Sequence, residues 1–257
     1  MNHRDAVEHF HLVFLRHFAA VASPGTICLK GGVNLRLFLN SPRLSEDIDF
    51  DARKVGVEIL KKNVGKVLGA RPFLTELAAA GITLGETNAV KQTATVQRWK
   101  LQIVFDGMPV PTRLEFSRRN EKPFEHCKTE MPSAALLAAH QVVPFVFNHY
   151  GPEAAYAGKV TALAGRAQVQ ARDIFDLHHL ARFAPAAKQV APEVISQALE
   201  QLHLVNFEMF NDQVVPYLPA DLAAHHGTPD AWEKMSATVE QNLISALRTG
   251  TVDSARR

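Results

Sequence analysis

Asp47 and Asp49 stand two residues apart in the segment Ser45-Glu46-Asp47-Ile48-Asp49-Phe50. In an extended backbone this spacing sends both carboxylates to one face and Ile48 and Phe50 to the other. Carboxylates so paired can hold one or two Mg²⁺ ions, which neutralise triphosphate charge and orient an attacking hydroxyl for in-line displacement at phosphorus. An acidic pair alone equally fits a solvated strand end, so its neighbours decide. Upstream lie Gly31 and Gly32, and glycines let a backbone approach phosphates closely. With a helix starting behind them, backbone N–H groups can face the β- and γ-phosphates, while Arg43 and Ser45 stand close enough in sequence to add donors. The segment has neither the Gly-Lys-Ser/Thr ending of a P-loop nor a GxGxxG fingerprint.

The elements that must position these groups follow from periodicity. Val7, Phe10, Val13, Phe14, Phe18 and Val21 recur at three- and four-residue steps and predict an amphipathic helix over residues 4–22, ended by Ser23-Pro24-Gly25. A short buried strand over 26–29 then delivers Lys30-Gly31-Gly32 to a helix carrying Leu35, Leu37, Phe38 and Leu39. Residues 45–51 alternate as a strand, and 55–80 are helical with a break at Arg71-Pro72. Strands are expected over 93–105 and 110–117, joined through Asp106-Gly107. From Ser133 onward the spacing is helical over 134–150, 153–164, 168–183, 192–204 and 231–247. A boundary is expected in the polar, proline-containing stretch 120–132, giving a core domain of residues 1–125 and a helical domain of residues 126–257.

Composition sets limits. With 257 residues, 47% hydrophobic and 21% charged, the chain fits an ordinary globular protein large enough for two cores. No run of about eighteen uncharged apolar residues exists to cross a bilayer. Glu8, His9, His11 and Arg16 interrupt the first apolar segment, unlike a signal peptide, so a cytoplasmic location is expected. Cys28 and Cys127 are the two cysteines, too few and too far apart for a disulfide scaffold or a structural zinc site. The histidine pairs His178-His179 and His225-His226 fall in no zinc motif and are expected to be surface or packing residues. Phe145, Phe147 and Tyr150 fit a core better than a base-stacking platform. A net charge of +2 neither shows nor excludes nucleic-acid binding, because that depends on where Lys and Arg cluster.

Taken together, Lys30-Gly31-Gly32, the apolar helix and Arg43-Leu44-Ser45-Glu46-Asp47-Ile48-Asp49-Phe50 resemble the first motif of the AbiEii/AbiGii toxin family within the nucleotidyltransferase superfamily. Arg113-Leu114-Glu115-Phe116-Ser117 is similar to its second motif. Lys159, Arg166 and Ala171-Arg172-Asp173-Ile174-Phe175-Asp176-Leu177 are similar to its third. The resemblance implies an α+β (α/β) fold: a mixed sheet flanked by helices carries the metal aspartates, and a helical C-terminal domain completes the active-site cleft. It implies NTP as co-substrate and Mg²⁺ held by Asp47, Asp49 and Glu115. By the same resemblance, Asp47, Asp49, Lys159 and Asp173 are the catalytic residues, and Lys30, Gly31, Gly32, Arg43, Ser45 and Lys159 bind the NTP. Asp173 would act as general base or orient Lys159, with Arg166, Arg172 and Asp176 in support. Without the first motif, Arg172 and Asp176 would read as an exposed i,i+4 ion pair, and Glu115 as an ordinary strand residue. Gly158 stands where the family commonly has an acidic residue, and residues 134–151 look like added helical length.

The function implied is Mg²⁺-dependent transfer of NMP from an NTP to an RNA acceptor such as the tRNA 3′ end, by the toxin of a toxin–antitoxin or phage-defence system with a cognate antitoxin as partner. Two alternatives share the sequence. One is a nucleotidyltransferase acting on a small molecule, which would require a pocket with apolar walls. The other is a non-catalytic NTP-binding interaction module.

Overall fold

Asn2 starts the first helix, α1 (His3–Ala19). Its side chain accepts from the backbone N–H groups of Arg4 and Asp5, and Asp5 reaches back to the Asn2 N–H. This reciprocal cap satisfies donors the first turn leaves open. In the computed structural model, which describes residues 1–119, 124, 126–183 and 190–254 and only the backbone of 249–254, the chain divides into two units. The first comprises Met1–Asn40 and Leu44–Tyr150; the second takes Ser41–Arg43 and the described residues from Gly151 onward.

In the first unit α1 is followed by β1 (Ile27–Lys30), α2 (Gly31–Phe38), β2 (Asp47–Ala52), α3 (Val57–Leu68), α4 (Arg71–Ala79), β3 (Ile82–Gln92), β4 (Val96–Phe105), β5 (Met108–Ser117), β6 (Cys127–Glu130), α5 (Ala134–Ala139) and β7 (Phe147–Tyr150). One seven-stranded sheet runs in the order β3-β4-β5-β2-β1-β7-β6. It is mixed: β2 pairs parallel with β5 and β1 parallel with β7, while the other neighbours are antiparallel. Asp106 and Gly107, at φ 52° and 72°, join β4 to β5 as a two-residue turn whose twist matches a hairpin. Ile48, Phe50, Leu114 and Phe116 are fully buried. Phe50 stacks on Phe116 at 4.5 Å, and Phe18 from α1 packs on both rings. Each such buried side chain contributes roughly 2–3 kcal/mol.

Two expectations differ from the structure, and β3 is a strand that the spacing does not predict. Helical spacing over 134–150 yields only α5. Gln141 turns to φ 53° and Pro144 cannot continue a helix, so Phe147–Tyr150 returns as β7 between β1 and β6. Strand β3 has no clear signal in the sequence because it is an edge strand whose residues 85–91 are exposed on both faces. The division between the units falls at Tyr150 and Gly151, not in 120–132, because β6 and β7 rejoin the sheet; residues 120–123 and 125 of that stretch lie outside the described residues.

A buried ionic knot ties α1 to α2 and α5. The Glu8 carboxylate, 5% exposed, accepts from Arg36 at 2.5 and 3.2 Å and from His140 Nε2 at 3.0 Å. Burial pushes this carboxyl up, but the His140 and Arg36 bonds outweigh it and hold it at about 2. A carboxyl depressed in the folded state stabilises the fold above its unfolded value and loses that contribution as pH falls. Glu8→Gln is therefore expected to cost about 2–3 kcal/mol at pH 7, read from urea unfolding, with the difference from wild type shrinking below pH 4.5. A difference constant down to pH 3 would contradict it.

The second unit is helical: α6 (Pro152–Gly165), α7 (Ala171–Ala181), α8 (Pro192–Leu202), α9 (Phe207–Gln213), a 3-10 turn (Val215–Tyr217), α10 (Ala220–His226) and α11 (Pro229–Ser254). α6 packs on α7 and α8, and α11 on α7, α8 and α9. Val160, Leu163, Ile174, Leu177, Ala198, Phe210 and Leu243 are fully buried in it. His226 sits edge-on to Phe175 at 5.8 Å, a packing role. Among the described residues no helix is long and apolar enough to cross a membrane.

Candidate active site

The alternation along β2 is realised. Ile48 and Phe50 enter the core, while Asp47 and Asp49 share the opposite face. The register sets their neighbours: Asp49 lies between Lys30 of β1 and Glu115 of β5, and Asp47 lies opposite Arg113. Lys30 ends β1 and Gly31 opens α2 at φ 71°, a conformation that suits glycine. A Cβ on Gly31 would stand 2.6 Å from Asp49 Oδ2. The missing side chain is thus what lets the turn close on the Asp49 carboxylate. The side chain of Lys30, at the N-cap of α2, makes no bond to the start of the helix, and the first N–H groups of a helix are donors suited to anions.

The other groups of this face are engaged with one another. Asp47 pairs with Arg113. Ser45 Oγ donates to the Asp47 carbonyl at 3.2 Å, which holds the entry into β2. Lys30 Nζ donates to Asp51 Oδ1 at 2.5 Å, and Tyr150 Oη donates to Asp51 Oδ2 at 2.8 Å. Sequence reasoning misses Asp51, although the same alternation that marks Asp47 and Asp49 continues to it. Its partner Tyr150 belongs to the strand whose spacing suggests a helix.

Glu115 is held by an arginine. Register places Arg98 of β4 directly opposite it, and the guanidinium holds the carboxylate at 2.7 and 2.8 Å. Among the described residues no group of three or more His, Cys, Asp or Glu gathers as a metal site; Glu115 lies beside Asp49 in register, its carboxylate engaged by Arg98 as that of Asp47 is by Arg113. Two aspartates suffice for Mg²⁺, which is commonly held by one or two carboxylates together with substrate phosphates. The close approach of the Gly31 turn to Asp49 fits that pattern.

In the second unit five charges interlock. Arg43 donates from Nε to Asp176 Oδ1 at 3.1 Å and from a terminal nitrogen to Oδ2 at 2.9 Å, a bidentate pair. Lys159 Nζ lies 2.6 Å from Asp176 Oδ2 and 3.1 Å from Asp173 Oδ1. Arg166 donates twice to Asp173. Both carboxylates are fully buried, whereas the side chains of Lys159 and Arg166 keep 12% and 31% exposure. Burial alone would push Asp176 up, but Arg43 and Lys159 hold it at about 2. Asp173 is lowered in the same way, against its burial, by Lys159 and Arg166. Burial also works against charge on Lys159, yet Asp176 and Asp173 outweigh it and raise its pKa. Three cations over two carboxylates leave one positive charge in excess, a setting suited to an anion.

Roles shift accordingly. Arg43, 4% exposed, spends its fork on Asp176 and acts as a brace within the second unit. Asp173, paired and depressed, is suited to orienting Lys159 and Arg166; a general base would need a raised pKa. Asp176, expected to be secondary, is the hub of the cluster. No Arg172–Asp176 pair forms among the described residues; Asp176 takes Arg43 and Lys159 instead.

Residues 13–251 match the model of the family described as "Nucleotidyl transferase AbiEii toxin, Type IV TA system", and the chain belongs to that family. It is thus a nucleotidyltransferase toxin of a type IV toxin–antitoxin system, with an NTP as substrate and an antitoxin as counterpart. Among solved structures it is similar to JHP933 from Helicobacter pylori, with TM-score 0.58 and 19% identity over 98% of this chain and 95% of that one. It is also similar to MenT4, a nucleotidyltransferase toxin from Mycobacterium tuberculosis, with TM-score 0.57 and 19% identity over 93% and 82%. At such identity the likeness is one of fold. No curated protein matches the chain.

Proposed function

We propose that the toxin transfers an NMP unit from a Mg²⁺-bound NTP to the terminal hydroxyl of an RNA, with the tRNA 3′ end as the acceptor of first choice, and releases pyrophosphate. The observation that carries this is the closure of the Gly31 turn on Asp49, which sets the first backbone donors of α2 beside a carboxylate pair. Mg²⁺ held by Asp47 and Asp49 would neutralise the triphosphate and polarise the phosphorus under attack. The backbone N–H groups at the start of α2 bind phosphate oxygens. Lys30, kept in place by Asp51, adds a cation at the same turn. Lys159 and Arg166, oriented by Asp173, give the second unit a cationic cluster suited to an anion. Phosphoryl chemistry of this kind needs positioning and charge stabilisation more than covalent catalysis. The setting for the protein is the cytoplasm, where NTP, Mg²⁺ and tRNA are all present.

Incubation with each labelled NTP in turn, Mg²⁺ and total tRNA is expected to label RNA with one or more NTPs and to fail when EDTA removes the metal. Label that appears only on small molecules, or that survives EDTA, would overturn the acceptor or the metal requirement respectively.

A further inference from the structure

The face of the sheet that bears Asp47 and Asp49 continues outward over three more strands, in the order β5, β4, β3. Register pairs Arg113 of β5 with Lys100 of β4, Glu115 with Arg98, Lys100 with Asn88 of β3, and Arg98 with Lys91. Two of these four pairs, Lys100 with Arg113 and Lys91 with Arg98, set a cation directly opposite a cation. Like charges directly opposed destabilise an antiparallel pair, and a sheet with no use for them would alternate signs.

Compensation is partial. Asp47 takes Arg113 and Glu115 takes Arg98. Lys91 and Lys100 are exposed and form no ion pair among the described residues. The side chains of Arg98 and Arg113 keep 34% and 35% exposure. The reverse face of the same strands is core, with Trp99, Leu101, Ile103, Leu114 and Phe116 all buried. At about 4.8 Å per strand, the four cations begin one strand from the aspartates and end three strands out, a reach of about 14 Å.

Resting on the function proposed above, we infer that this stripe is where the acceptor strand lies: the phosphates of a single-stranded RNA end cross β3, β4 and β5, and its terminal hydroxyl arrives at Asp47 and Asp49. A repeating anion matches cations repeated strand by strand, and opposed like charges become favourable once phosphates sit over them. A small-molecule acceptor would leave charges so far from the aspartates without a task.

The test is fluorescence anisotropy of a labelled tRNA with the full-length Lys91→Gln/Lys100→Gln protein. The double variant is expected to bind about tenfold more weakly near 0.1 M salt, with the slope of log K against log salt reduced by about 2, one unit per lysine lost. The KM for NTP is expected to be unchanged. Lys61→Gln/Lys62→Gln removes the same charge from exposed positions of α3 and is expected to bind RNA as the wild type does. Wild-type affinity and salt slope in the Lys91/Lys100 variant, or an equal loss in the Lys61/Lys62 control, would overturn the stripe. Wild-type protein that binds RNA through the stripe yet labels none would overturn the acceptor assignment instead.

Discussion

Asp49→Ala is expected to slow NMP transfer on the order of 10³-fold, because losing a metal-holding carboxylate removes several kcal/mol of charge stabilisation. Gly31→Ala is expected to slow it roughly 10²-fold without touching any group that reacts. Gly31 sits at φ 71°, and an alanine Cβ there would stand 2.6 Å from Asp49 Oδ2, closer than atoms tolerate. The carboxylate or the turn must move, and a displacement of about 1 Å in such a site costs about this much rate. The backbone strain of alanine at positive φ is a separate cost of about 1–2 kcal/mol in stability.

Gly107→Ala separates the two effects. Gly107 has φ 72° and nothing lies within 4 Å of the point where a methyl group would stand, so alanine there carries the backbone strain alone. It is expected to lower the melting temperature as Gly31→Ala does while transfer stays at the wild-type rate. Initial rates of labelled NMP incorporation, measured alongside thermal melts, check all three variants. Equal rates for the Gly31 and Gly107 variants would remove Gly31 from the site, and an active Asp49→Ala protein would remove the metal assignment.

How much of this architecture is visible in the sequence depends on the range over which each signal acts. The placement of Asp47 and Asp49 is legible because strand alternation is local and Ile48 and Phe50 mark the core face. The Asp106-Gly107 hairpin is legible for the same reason, since the turn requires residues that accept positive φ. Arg43 is assigned to the NTP by nearness in sequence to the aspartates. Its carboxylate partner is 133 residues away, and no local pattern announces such a pair. That Arg98 engages Glu115 is hidden in the same way, because Arg98 lies on a neighbouring strand whose register no periodicity supplies. Strand β7 is hidden in an apolar run that suits a helix or a buried strand alike, and the break at Pro144 is the signal that separates the two. Edge strand β3 carries no apolar alternation because much of it contacts no core, yet that exposure is what gives Lys91 its place on the cationic stripe.

Asp176→Asn is expected to cost about 3–5 kcal/mol of stability. The change keeps size and shape but leaves buried Arg43 and partly buried Lys159 without their shared counter-charge, and breaking a buried pair from one side costs in this range. The excess of positive charge in the cluster rises from one to two. Lys159 then keeps only Asp173. The pH dependence identifies the cause. Asp176 is held at about 2 in the folded protein against an ordinary 3.8, worth about 2 kcal/mol. A carboxyl depressed on folding stabilises the fold above the unfolded value and loses that contribution as pH falls through the folded one. Urea unfolding should therefore show a constant gap between wild type and Asp176→Asn from pH 8 to 5, narrowing from pH 4 toward 2. A gap that stays the same width to pH 2 would mean that shape and not charge holds Arg43 and Lys159 in place.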